Sequence, residues 1–400
     1  MSTSNTIAQR QIDEWFNSDH TFSLYIEDDP DITELPIIPS IVSHVYIRNC
    51  HKLVHIHNLP ESLKHLQIAD CPLLETLPYT MPPKLYYIDI QTETCISICP
   101  RFTESLEYLI INHAKKLLHI EILPSSVNYI YIRNTPIRTL PVQLPMNLFT
   151  LVVSDSHLIH LPLLPDSLDA LEISSPYLET LPPFSCSLRT IRIRNTPINT
   201  LPELPLLLYE LDVGNTQLSV IPPLPAGTKH LYVDSTRVTE LPELPPNLTM
   251  LSCAHTNIRR LPRLPEKLNI LNLSYTLINY LRADDFANTS VYQMQTHAYT
   301  CDRFPKFVKY MHFSHPDFQI LDLPPLYDTT ITFNYEDEPT SIDPVHDIGK
   351  YTLLKHKERK KQIARVTARV RLYKEELMIN TWHPRRVETW CGVRFDTIDD

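Results

Sequence analysis

Glycine is nearly missing from this chain: its 400 residues include four, Gly214, Gly227, Gly349 and Gly392. An average protein carries about 7%. Four glycines this far apart cannot form the Gly-rich phosphate cradle of a P-loop or a dinucleotide-binding turn, so nucleotide chemistry by those routes is excluded. Long apolar runs are also lacking. No stretch of about 18 apolar residues exists to span a membrane, and MSTSNTIAQRQIDEWF has no basic segment leading into an apolar one, so a secretory signal is not expected. Eight cysteines in 400 residues are too few for a disulfide scaffold. These absences predict a soluble, cytoplasmic protein of a reducing compartment. The net charge of −10 speaks against nucleic-acid binding by the molecule as a whole.

Proline is in excess, at 36 residues. Proline inside helices removes a donor and clashes with the preceding turn, so a helical bundle is excluded too. Of the 36, 29 lie between Pro30 and Pro265, where they follow a repeat. Leu-Pro or an apolar equivalent recurs at Leu35, Ile56, Leu77, Ile98, Ile120, Leu140, Leu161, Leu181, Leu201, Ile221, Leu241, Leu261 and Leu281. The steps are 20 to 22 residues. A second proline often follows, and then apolar residues at i, i+3 and i+5, as in Val42/Val45/Ile47, Leu63/Leu66/Ile68 and Leu268/Leu271/Leu273.

The last two of each triplet share one side of an extended strand, and that side must be the core. One repeat cannot bury its apolar edge alone, so successive repeats stack. The expected fold is a β solenoid of the leucine-rich repeat type with 20–22-residue turns and parallel strands on the concave face. So short a period leaves no room for a return helix, and the LPxLP stretch should run extended or polyproline-like along the convex side. The scarcity of glycine fits bends set by proline and leucine. Three residues beyond the last strand leucine, where buried backbone needs a partner, stand Cys50, Cys71, Thr135, Ser156, Thr196, Thr216, Thr236, Thr256 and Thr276. Cys50 and Cys71 fall on successive turns, either as two buried thiols or, at near-disulfide spacing, as a redox pair.

Runs such as LPELPPNLTML, LPPLPAGTKHLYV and LPRLPEKLNILNLS resemble the short repeats of bacterial leucine-rich-repeat effectors of the YopM and IpaH type. The resemblance covers residues 30 to 281. It implies a protein-recognition scaffold acting in a host cell. The Thr ladder departs from the Asn usual in that family. KEELMINTWHPRRVETW, at 374–390, resembles carboxy-terminal segments of proteins of large DNA viruses of protists and implies a viral origin.

The organisation expected is a capping helix in 1–20, repeats over 21–281, degenerate repeats or a cap over 282–336, a linker at 337–349 and a basic amphipathic helical tail at 350–400. From Lys350 to Lys374 ten Lys/Arg face a single acid, Glu358. Ile363, Val366, Val370, Tyr373 and Leu377 recur there at helical spacing. An acidic partner could meet this tail through Lys357, Arg359, Lys360, Lys361, Arg365, Arg369 and Arg371, in nucleic acid or on a membrane. The other reading is a solvated helix, or one folded back on the acidic repeats.

Residues between and beside the strand leucines should face the concave surface. They include Tyr25, His44, Tyr46, Arg48, His65, Tyr87, Tyr108, Tyr129, Tyr131, Arg133, Arg192 and Arg194. Tyr and Arg are enriched in binding hot spots because they combine contact area with a polar handle. The function expected is a non-enzymatic interaction scaffold whose protein partner the residues do not identify, with no cofactor and no small-molecule substrate. A ligase of the IpaH kind would need a Cys-x-Asp motif, whereas Cys301 is followed directly by Asp302 and then Arg303. Histidines of the face alternate with tyrosines on different strands, and Cys95-x3-Cys99 has no matching second pair, so no metal site is expected.

Overall fold

A computed structural model describes residues 7–17, 22–91 and 94–278, and beyond them the backbone of strands lying within 280–342. The chain divides into two compact units, Met1–Gln217 and Leu218–Asp400.

In the first unit, helix α1 (Ile7–Asn17) precedes ten strands: β1 (Ser23–Glu27), β2 (His44–Arg48), β3 (His65–Ala69), β4 (Tyr87–Gln91), β5 (Tyr108–Asn112), β6 (Tyr129–Arg133), β7 (Thr150–Ser154), β8 (Ala170–Ser174), β9 (Thr190–Arg194) and β10 (Glu210–Asp212). Each pairs in parallel with the next at one register, so Val45 meets Leu66 and Ile47 meets Ile68, and Leu66 in turn meets Ile88. The two strand leucines of every turn point inward and are buried, as the period-2 pattern requires. Stacked turn on turn, they form the continuous core that no single repeat could make.

The second proline of each LPxLP does more than run extended. Its carbonyl accepts a hydrogen bond from the N–H three residues on, at Leu63→Pro60 (3.0 Å), Leu148→Pro145 (3.1 Å) and Leu208→Pro205 (3.0 Å). It therefore opens the β-turn that delivers the first buried leucine of the next strand. The opposite bend corrects the expectation about glycine. Left-handed backbone, the conformation glycine usually supplies, occurs in most of these turns, at Asp28, Asn49, Asp70, His113, Asn134, Asp155, Asn195 and Asn215, with φ between 51° and 59°. Asn and Asp tolerate this region because their short side chains bond locally. Here they also bond to one another across turns, Asn49 Nδ2 donating to Asp28 Oδ1 and Asn215 Nδ2 to Asn195 Oδ1, both at 2.7 Å.

The first turn would present an open strand edge, and α1 covers it. Ala8, Ile12 and Trp15 are buried against the repeat, whereas Phe16 is exposed. The Gln11 side chain stands in for the missing neighbouring peptide: its Nε2 donates to Glu27 O (2.8 Å) and its Oε1 accepts from Glu27 N (3.0 Å). Trp15 Nε1 donates to Ser23 O at 2.9 Å. Asp29, buried below α1, accepts from Ala8 N (2.9 Å) and so satisfies one of the helix's amino-terminal donors.

In the second unit the pattern continues through β11 (His230–Tyr232), β12 (Met250–Ser252) and β13 (Ile270–Leu273), joined in parallel at constant register. Left-handed residues recur at Ser235, His255 and Tyr275. Thr236, Thr256 and Thr276 each donate their hydroxyl to the carbonyl three residues earlier, in their own turn (2.7 to 3.0 Å). Beyond Leu281 the parallel ladder passes from β13 to β15 (Val291–Thr296), β17 (Val308–Phe313) and β19 (Thr330–Tyr335). A second parallel row forms from β14 (Tyr280–Leu281), β16 (Thr300–Arg303) and β18 (Gln319–Asp322). The antiparallel strand β20 (Glu338–Ile342) closes onto β19, within the stretch expected as a linker. The rest of that stretch and the basic tail, with Lys357, Arg359, Lys360, Lys361, Arg365, Arg369 and Arg371, lie outside the described residues.

Candidate interaction face

All twelve residues expected on the concave face stand on the solvent side of their strands, in the first unit. The structure brings six of them into one array. Parallel strands repeat at about 4.8 Å, so register partners bring their rings within stacking reach, Tyr25 with Tyr46 in one column and His65, Tyr87, Tyr108 and Tyr129 in the next. Tyr25 stacks on Tyr46 (centroids 4.7 Å apart), which meets His65 (5.2 Å), and His65 stacks on Tyr87 (4.3 Å). The row goes on through Tyr108 (5.8 Å) to Tyr129 (4.6 Å) and ends edge-on at Phe149 (6.0 Å). His44 lies beside the row, 5.7 Å from His65. Phe149 carries no strand position and was missed for that reason.

Where the rings stack, at Tyr25/Tyr46, His65/Tyr87 and Tyr108/Tyr129, their faces are covered. What meets solvent is a comb of ring edges and phenol hydroxyls, half-buried along most of its length. Burial pushes the hydroxyls of Tyr46, Tyr87 and Tyr108 above the ordinary tyrosine range, so all three stay protonated donors at neutral pH. Burial likewise lowers His65, with His44 adding to the effect, and this favours the neutral ring that stacks best.

Beside the comb lies Asp89, which is buried. Its Oδ2 accepts from Gln91 Nε2 (2.7 Å), Gln67 Nε2 (3.2 Å) and Tyr87 OH (3.5 Å). Its Oδ1 has no partner, and burial raises its pKa. Nothing in the sequence pattern distinguished this aspartate from the polar residues at equivalent positions.

Arginines of the face behave differently from its tyrosines. Arg133 Nη2 donates to Glu172 Oε1 (2.9 Å), and Arg192 Nε donates to Glu210 Oε1 (2.7 Å) with its Nη1 3.6 Å from Glu172 Oε2. Arg194 pairs with the buried Asp212. These hydrogen bonds hold Arg192 and Arg194 above the usual guanidinium value. Arg48, 3.7 Å from Glu27, shares strand β2 with Tyr46 of the aromatic row. The arginines thus belong to a charge network next to the comb, and their acidic partners Glu172, Glu210 and Asp212 escaped a reading that looked for hot-spot residue types. The outer side of the same unit bears exposed apolar residues on successive turns, Ile122, Val142 and Leu163. Among the described residues no helix is long and apolar enough to cross a membrane, and no group of three His, Cys, Asp or Glu side chains could hold a metal ion.

One parallel strand per 20–22-residue turn, buried leucines at i, i+3 and i+5, and a proline-opened return define a leucine-rich repeat solenoid. Two of the solved structures that share this fold come from Yersinia. One is YopM from Yersinia enterocolitica WA-314, with TM-score 0.52 and 24% identity over 81% of this chain and 84% of that one. The other is YopM from Yersinia pestis, described as a leucine-rich effector protein, with TM-score 0.54 and 19% identity over 84% of this chain and 95% of that one. No protein-family profile and no curated protein sequence matches the chain.

Proposed function

We propose that this chain is a non-enzymatic scaffold that binds another protein through the aromatic comb of its first unit. The observation that carries the reading is the unbroken ring row from Tyr25 to Tyr129. These residues lie on the solvent side of strands whose inner leucines already form the core, so the comb is not required for folding in the way the leucines are. Rings held by their neighbours lose little conformational freedom on binding, which lowers the entropic cost of an interface. Tyrosine edges and hydroxyls offer apolar area and hydrogen bonds together, the combination enriched at protein interfaces. His44, Arg48 and Tyr131 flank the comb and complete the proposed surface, with the Arg133/Arg192/Arg194 network as its polar border. The likeness of fold to a Yersinia effector supports a partner in a host cell.

The test is affinity capture with the full chain, quantified by mass spectrometry. Three versions are compared: unaltered, Tyr46→Ala/Tyr87→Ala/Tyr129→Ala, and a control with Ile122→Asp and Val142→Asp on the outer side. Partners retained by the control and lost from the tyrosine variant, with both variants shown to be folded by circular dichroism, are the expected outcome. Equal capture by all three would remove the comb as the binding surface.

A further inference from the structure

Two consecutive turns of the first unit replace the usual ladder hydroxyl with a thiol. Cys50 follows β2 and Cys71 follows β3, at positions that later turns fill with Thr135, Ser156, Thr196 and Thr216. Both cysteines are free and fully buried. Their surroundings repeat one turn apart. Each follows a left-handed residue, Asn49 or Asp70, and each Sγ lies 3.4 Å from the carbonyl two residues earlier, that of Arg48 or Ala69. Arg48 and Ala69 are themselves register partners. The two side chains therefore run parallel from neighbouring turns, each thiol donating to the carbonyl of its own turn, with Cys50 Sγ also 3.9 Å from Ile26 O.

We propose that Cys50 and Cys71 form a dithiol redox site that small hydroperoxides convert to an intramolecular disulfide. The adjoining Cys71 side chain lowers the Cys50 pKa against the effect of burial, and the nucleophile in such chemistry is the thiolate. The Cys50 sulfur attacks one peroxide oxygen, the O–O bond breaks, and the departing oxygen takes up a proton to leave as water or alcohol. The resulting sulfenic acid is then attacked by the Cys71 sulfur, the S–O bond breaks, and water leaves as the S–S bond forms. Two thiols together lose two protons and two electrons, and the peroxide is reduced by two electrons. With both thiols fully buried, an oxidant reaches them only through local opening of the turns, which favours small hydroperoxides over bulky disulfide reagents. The link would join the two turns that carry Tyr46 and His65, one step of the aromatic comb. Cys253 provides an internal control. It is also fully buried, but the turns beside it carry Val233 and Leu273 at the matching positions in place of a second thiol.

The full chain, reduced and then exposed to hydrogen peroxide while folded, is unfolded, alkylated, digested and mapped by mass spectrometry. The expected product is a linked peptide pair containing Cys50 and Cys71, two hydrogens lighter than the sum of its parts, with Cys253 alkylated. The melting temperature rises, because the link constrains the unfolded chain. In Cys71→Ser the reaction halts at Cys50 sulfenic acid, trapped by a cyclic diketone probe. In Cys50→Ser residue 71 stays a thiol. Serine matches the ladder hydroxyls of other turns, so both variants retain the local hydrogen bonding. Recovery of Cys50 and Cys71 as alkylated thiols from the oxidised chain overturns the proposal, as does linkage of either one to a different cysteine.

Discussion

Asp89 carries the least favourable electrostatics on the strand face. It is buried, three donors converge on one of its oxygens, and the other has none. A carboxyl whose folded pKa is raised binds its proton more tightly folded than unfolded. Its contribution to stability is complete below the unfolded value of about 4 and is lost as pH rises through the folded value. Asp89→Asn cannot ionise, so it should be more stable than the unaltered chain at neutral pH by about 1 kcal/mol. The difference should vanish toward about pH 3. Urea unfolding at the two pH values measures it, and a variant less stable at neutral pH would show that the three donors outweigh the burial. Residue type alone could not single out Asp89, because its burial depends on Gln67 and Gln91 from its own and a neighbouring turn.

Among the elements, the comb and the cap respond to different tests. His65 sits between Tyr46 and Tyr87 with its pKa lowered by burial. A base of lowered folded pKa contributes stability that is present above the unfolded value of about 6.5 and is lost as pH falls through the folded value. His65→Phe keeps a ring in the row and removes the titration. Its melting temperature should change less than that of the unaltered chain between about pH 7.5 and about pH 5. At the amino-terminal edge, Gln11→Ala removes both bonds to Glu27 and should cost about 1 kcal/mol. Hydrogen exchange at the Glu27 amide should quicken while that at β5 stays unchanged. The apolar face of α1 was visible in the sequence, but the use of Gln11 as a substitute strand peptide was not. A glutamine on the buried side of a helix reads as a poor core residue until the strand it serves is in place.

For the molecule as a whole, stability is a matter of neighbouring turns. In a stacked array each repeat touches only the repeats beside it, so damage to one should spread locally. Ile130, fully buried in β6, packs between the inner residues of β5 and β7 at matched register, Leu109 and Leu151. Ile130→Ala should cost about 2–5 kcal/mol through lost burial and the cavity it leaves. Amide protection should fall most in β5, β6 and β7 and least in β1 and β9. Uniform loss across the first unit would instead point to a single cooperative block.

The repeat, its period, the parallel strands and the identity of the buried leucines were all determined by the sequence. Periodicity is a local property, and 20 to 22 residues per turn leave few ways to bury an apolar edge. The face on which the tyrosines stand follows from the same alternation. Which of those residues act together was decided only by stacking. Strand spacing set one turn above the next aligned Tyr25, Tyr46, His65, Tyr87, Tyr108 and Tyr129 into a row. It also drew Arg133, Arg192 and Arg194 into pairs with Glu172, Glu210 and Asp212. The reason is one of range. A side chain's orientation in or out is fixed within its own strand, whereas its partner comes from a strand some twenty residues away, brought near only when the turns pack.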